Sequence, residues 1–112
     1  MGKVSLMGSR EVARRIKSII LEEFSKRGVN VEEVLLFGSR ARGDFRESSD
    51  WDVLVIISEE VDRKKYRELW YSVYRRVDVP LDLVIVSKKA FERYESSPGF
   101  IYYYAAREGI KI

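Results

Sequence analysis

Three short apolar runs, residues 34–37, 51–57 and 81–86, constrain the fold of this chain more than anything else in it. Each is rich in Val, Ile, Leu or Phe and too short to be a core helix, so each reads as a strand. The first two have the near-continuous apolar character of strands covered on both faces. Helical periodicity fills the intervals. Val12, Ile16, Ile19, Ile20 and Phe24 predict a helix over residues 11–27, with Ser9 as its N-cap and Gly28 as its stop. Tyr66, Leu69, Trp70, Val73 and Val77 predict a second, amphipathic helix over roughly residues 62–76. Pro80 punctuates the chain before the third strand, and Ser87 is placed to cap a short helix running to about Tyr94. A last helix is expected around residues 100–106, stopped by Gly109 ahead of the tail Ile110-Lys111-Ile112.

Strands alternating with helices over 112 residues predict one α/β domain, residues 1–112, with a small mixed β-sheet packed by helices. The composition, 46% hydrophobic and 35% charged, is that of a globular chain with enough apolar residues to close a core. Neither cysteine nor histidine is present, which excludes disulfides, thiolate or imidazole metal sites and histidine acid–base chemistry. Any catalysis must rest on carboxylates. The net charge of +3 is too small for a nucleic-acid-binding arm, and no basic stripe is interleaved with aromatics, so nucleic acid is not expected as a direct partner. No apolar run approaches the roughly 20 residues that span a bilayer, and the first seven residues lack the features of a leader, so no membrane association and a cytoplasmic location are expected.

The chemistry is concentrated where the strands begin. Asp50 and Asp52, two residues apart at the mouth of the second strand, are expected to project to one side of the sheet. Two carboxylates sharing a site repel one another, and a divalent cation between them removes that cost. Oxygen-only ligands favour Mg²⁺, with Mn²⁺ possible, over zinc. Asp82 opens the third apolar run, where a bare carboxylate is costly without a partner; either a metal or an arginine would serve. Asp78 lies before Pro80 in an expected turn and is set aside. Gly38-Ser39 directly follows the first strand, a place where glycine admits close approach of a phosphate to backbone N–H groups and a serine hydroxyl adds a donor. Arg40 and Arg42 can supply positive charge there, or serve only as solvated surface residues.

Gly38-Ser39, ten intervening residues, Asp50-Trp51-Asp52, and then the strand-borne Asp82 together form a specific pattern. The stretch from Phe37 to Asp44, with Ser49 to Asp52 and Asp82, resembles the minimal nucleotidyltransferases of the DNA polymerase β-like superfamily. The resemblance covers nearly the whole chain. It implies a polymerase β-like nucleotidyltransferase fold, with Asp50, Asp52 and Asp82 as catalytic metal ligands. It also implies that Gly38 and Ser39 cradle the triphosphate, with Arg40, Arg42 and Ser49 as further nucleotide-binding candidates. Trp51 stands where a smaller aliphatic residue is more usual in the family, a departure that removes no ligand.

Small members of this family are often paired with HEPN-domain toxins and act as antitoxins, adding AMP to a tyrosine of the toxin. The resemblance therefore implies Mg²⁺-dependent transfer of AMP from ATP to a protein hydroxyl, with a HEPN-domain toxin as partner. A chain of this length has no room for an acceptor domain of ordinary size, which agrees with an acceptor supplied by another macromolecule. Two rivals are a non-catalytic antitoxin that neutralises its partner by covering it, and a nucleotidyltransferase for a small-molecule hydroxyl. The intact acids and Gly38-Ser39 argue against the first, and the missing second domain against the other. The aromatic segment 100–104 reads either as helix packing or as a partner surface.

Overall fold

The computed structural model describes residues 2–112, with side chains described from Ser9 onward. Helix α1 (Gly2–Lys26) leads into strand β1 (Val31–Phe37), the single turn α2 (Ser39–Arg42) and strand β2 (Trp51–Ile57). Helix α3 (Arg63–Tyr74), strand β3 (Leu81–Ser87), helices α4 (Lys88–Tyr94) and α5 (Ile101–Glu108), and the short strand β4 (Ile110–Lys111) complete it. The sheet has four strands in the order β3-β2-β1-β4 and is mixed: β1 runs antiparallel to β2 and β4, while β2 and β3 are parallel. A parallel pair cannot be joined by a hairpin, and α3 makes the crossover between β2 and β3.

Strand alternation divides the apolar residues between two cores. Val34, Leu36, Trp51, Val53, Val55, Leu83 and Ile85 share one core with Ile16, Ile20 and Phe24 of α1 and Leu69 and Val73 of α3. Leu35, Phe37, Leu54, Ile56 and Val86 meet Phe91 of α4 and Ala105 of α5 in the other. Burying a side chain such as Ile20 or Leu69 completely stabilises the fold by about 1.5–3 kcal/mol.

Two expected caps, at Ser87 and Gly28, hold, and Asp62 adds another that was not expected. Asp62 accepts from the Lys65 N–H at 2.7 Å, Ser87 accepts from the Ala90 N–H at 3.1 Å, and Gly28 leaves α1 with φ of 72°. Ser9 does not cap α1, which begins at Gly2. A capping side chain is worth about 1 kcal/mol and does not oblige a helix to start there when the preceding residues continue it. Strand β1 starts three residues earlier than its apolar run, because Val31 and Glu33 pair with Ile57 and Ile56 across a register shift. The tail, to which the sequence assigns no element, pairs through β4 with Leu35 and Leu36.

Candidate active site

The loop between β1 and β2 is built around Gly38, whose φ of 72° and ψ of −156° suit only glycine. Phe37 lies opposite Asp52 across the β1–β2 ladder, so the chain leaves the sheet directly beside that carboxylate. A Cβ on Gly38 would overlap Asp52 Oδ2. The Ala41 and Arg42 N–H groups then donate to the Gly38 carbonyl at 3.1 and 3.0 Å, closing the turn in which Ser39 stands first. Gly43, at φ of 90°, ends that turn, its N–H donating to the Ser39 carbonyl.

Asp52 and Asp82 are registered neighbours on the parallel strands β2 and β3, and alternation turns both toward the α4–α5 side of the sheet. Asp50 stands one residue ahead of β2, exposed in the loop. Half-burial, followed by the negative charges of Asp82 and Asp50, pushes the Asp52 carboxyl above its usual range, while Arg42 acts in the opposite direction. The desolvation cost expected at Asp82 therefore falls on Asp52; Asp82 itself is exposed, because it is the second residue of an edge strand. Among the described residues, no three acidic side chains close into a finished cation site. Their chemistry nevertheless fits a divalent metal: hard oxygen donors in mutual repulsion, with Asp52 short of a counter-charge.

The other predicted residues divide. Arg42 is near enough for its charge to act on Asp52, while its Nη1 donates to Glu108 Oε2 at 3.0 Å and its Nε reaches Asp44 at 3.4 Å. Ser39 is half-buried at the start of the turn, directly after Gly38. Arg40 is not brought to the acids. Its guanidinium donates to the Glu47 and Ser49 carbonyls, both at 3.0 Å, and lies over the rings of Phe45 and Trp51 at 4.4 and 4.6 Å. Trp51 is buried on the α1–α3 face, so this stack sits across the sheet from Asp52 and braces the loop from behind. Ser49 is also a loop-builder, its hydroxyl accepting from the Arg46 N–H at 2.8 Å. Glu108 escapes sequence reasoning, since it reaches Arg42 across 66 residues of chain and no local pattern announces the pair.

A model of the family described as Polymerase beta, Nucleotidyltransferase matches residues 18–98. A protein of Methanocaldococcus jannaschii named "Putative protein adenylyltransferase" is 33% identical over 76 residues, 68% of this chain and 72% of its own. A solved structure described as a "putative minimal nucleotidyltransferase" superposes with a TM-score of 0.61 at 25% identity, covering 93% of this chain and 95% of that one. A toxin–antitoxin crystal structure with AMP-PNP contains a chain that shares the fold, with a TM-score of 0.58 at 20% identity over 84% of this chain and 69% of that one.

Proposed function

The chain belongs to the polymerase beta nucleotidyltransferase family and is a nucleotidyltransferase, and on that premise we propose that it transfers AMP from ATP to a protein hydroxyl, a tyrosine of a HEPN-domain toxin, and so acts as the antitoxin of a pair. The observation that carries this reading is the placement of Asp52. A carboxylate raised by partial burial and by two neighbouring acids, beside a glycine where any larger residue would be strained and would displace it, is arranged for a metal-bound polyanion. Protein adenylylation is supported by the name of the Methanocaldococcus relatives, and an antitoxin role by the fold shared with the toxin–antitoxin structure.

In this mechanism Asp50 and Asp52, with Asp82, would hold Mg²⁺, or Mn²⁺ in its place. Bound there, such a cation would neutralise charge on the phosphates. The backbone at Gly38 and the Ser39 hydroxyl hold the phosphate chain, and Arg42 adds positive charge at the rim. The acceptor oxygen attacks the α-phosphorus in line, the bond to the bridging oxygen breaks, and pyrophosphate leaves. Exposed Asp82 is open to an incoming acceptor and takes the hydroxyl proton. Arg40 and Ser49 serve by holding the loop in shape.

Incubation of the protein with ATP, Mg²⁺ and a HEPN-domain partner, followed by mass spectrometry of the partner, tests the proposal. Added mass in steps of one AMP is expected, on a tyrosine, and absent with Asp50→Asn. Equal silencing of the partner by that variant, with no added mass in either case, would establish the non-catalytic alternative instead.

A further inference from the structure

Arg42 is held from two sides. Its Nε faces Asp44, two residues along the same loop, and its Nη1 donates to Glu108, the last residue of α5. Nη2 makes no hydrogen bond among the described residues, and the positive charge of the group is felt at Asp52. Glu108 is itself firmly placed. Gly109 follows it with its N–H donating to the Ala105 carbonyl at 2.8 Å, and a Cβ there would overlap that carbonyl. Ile110 and Lys111 then pair with β1. The backbone that carries Glu108 is thus anchored to the sheet, whereas Arg42 ends the exposed turn α2 and its side chain has many rotamers to lose.

We infer that Glu108 is a positioning residue of the nucleotide site, fixing the Arg42 guanidinium so that its free edge meets the phosphate chain of the nucleotide. This rests on the nucleotidyl-transfer reading and goes beyond it, because it assigns a role to α5. Two neighbouring carboxylates also lower the attraction of Arg42 for an anion, so the opposite role, a competitor that phosphate must displace, follows from the same contacts. Geometry decides for positioning. A planar guanidinium bonded at Nε and Nη1 keeps Nη2 oriented and vacant, which is the arrangement that costs least entropy when a phosphate oxygen arrives.

The test is calorimetric titration of a non-hydrolysable ATP analogue and of AMP, each with Mg²⁺, into the wild type, Glu108→Ala, Glu108→Gln, Arg42→Ala and the double variant, with thermal melting of each. Glu108→Ala is expected to bind the ATP analogue roughly tenfold more weakly while AMP binding stays unchanged, the loss of one well-aligned charge-assisted hydrogen bond. Glu108→Gln, which keeps an acceptor, should recover most of that loss. In the Arg42→Ala background, Glu108→Ala should have no further effect, an outcome that a general loosening of α5 would not produce. Tighter binding by Glu108→Ala, or equal weakening for AMP and the ATP analogue, would overturn the inference while leaving the nucleotidyltransferase reading standing. Failure of the wild type to bind the ATP analogue at all would overturn both.

Discussion

Gly38 answers two demands, a backbone angle that only glycine tolerates and a carboxylate where a Cβ would sit. Gly38→Ala is therefore expected to cost about 1–3 kcal/mol in stability from strain and to lower transfer further by displacing Asp52, as read by thermal melting beside an activity assay. Ser39→Ala removes one hydroxyl and leaves the backbone in place, so its loss of transfer should be about tenfold or less. Asp50→Asn and Asp52→Asn should each lower transfer by about 100-fold or more while the protein stays folded. Asp52→Asn should also raise the melting temperature of the metal-free protein, since it removes a half-buried charge repelled by Asp82 and Asp50. Unchanged transfer by a folded Asp52→Asn variant would remove the site assignment. The acids and Gly38 were legible in the sequence because strand mouths and glycine turns are local patterns. The bracing role of Arg40 was not, since it depends on Trp51 facing the far side of the sheet and on carbonyls of a loop whose path no local rule supplies.

Helices α1 and α3 cover the same sheet face and are tied by Glu23, buried on α1 between Arg27 of its own helix and Arg76 just past the end of α3. The Arg76 hydrogen bond, opposed by burial and joined by Arg27, holds the Glu23 carboxyl down from 4.5 to about 2. A depressed carboxylate contributes stability that is fully present above its unfolded pKa and is lost as pH falls through its folded one. Glu23→Gln should therefore melt lower than the wild type at neutral pH, and the gap should close as pH falls from 4.5 toward 2. A gap that stays constant over that window would mean that Glu23 acts by packing alone. Element identities were legible for α3, β2, β3 and the Ser87 cap, where periodicity and capping agree. They were not legible for β4, because two residues of strand carry no periodicity and exist only by pairing with β1. The start of α1 was missed because the start signal offered by Ser9 is weaker than helix propagation through the residues before it.

At the scale of the molecule, the two sheet faces are unequally covered. Among the described residues, the α1–α3 core gathers fifteen buried side chains against seven for the α4–α5 core, and Phe100, which precedes α5, with Ile101 and Tyr104 on it, is left between 41% and 49% exposed. Local opening free energy follows buried apolar contact, so α4 and α5 should open well before the central strands and residues 16–24 of α1. Function makes that inequality useful, because the thin layer lies on the same side of the sheet as Asp52 and Asp82 and holds Arg42 through Glu108. A nucleotide that engages Arg42 should stiffen the end of α5 and the β4 pairing behind it, leaving α1 and α3 unaffected. Hydrogen exchange read by mass spectrometry checks both halves. The free protein should exchange fastest across residues 88–108. Addition of Mg²⁺ and a non-hydrolysable ATP analogue should slow exchange in residues 38–43 and 105–111 together, and Glu108→Ala should retain the first protection while losing the second. Exchange across residues 16–24 as fast as across 101–108 in the free protein would contradict the unequal layering. Protection of residues 38–43 alone in the wild type would show that α5 takes no part in holding the nucleotide.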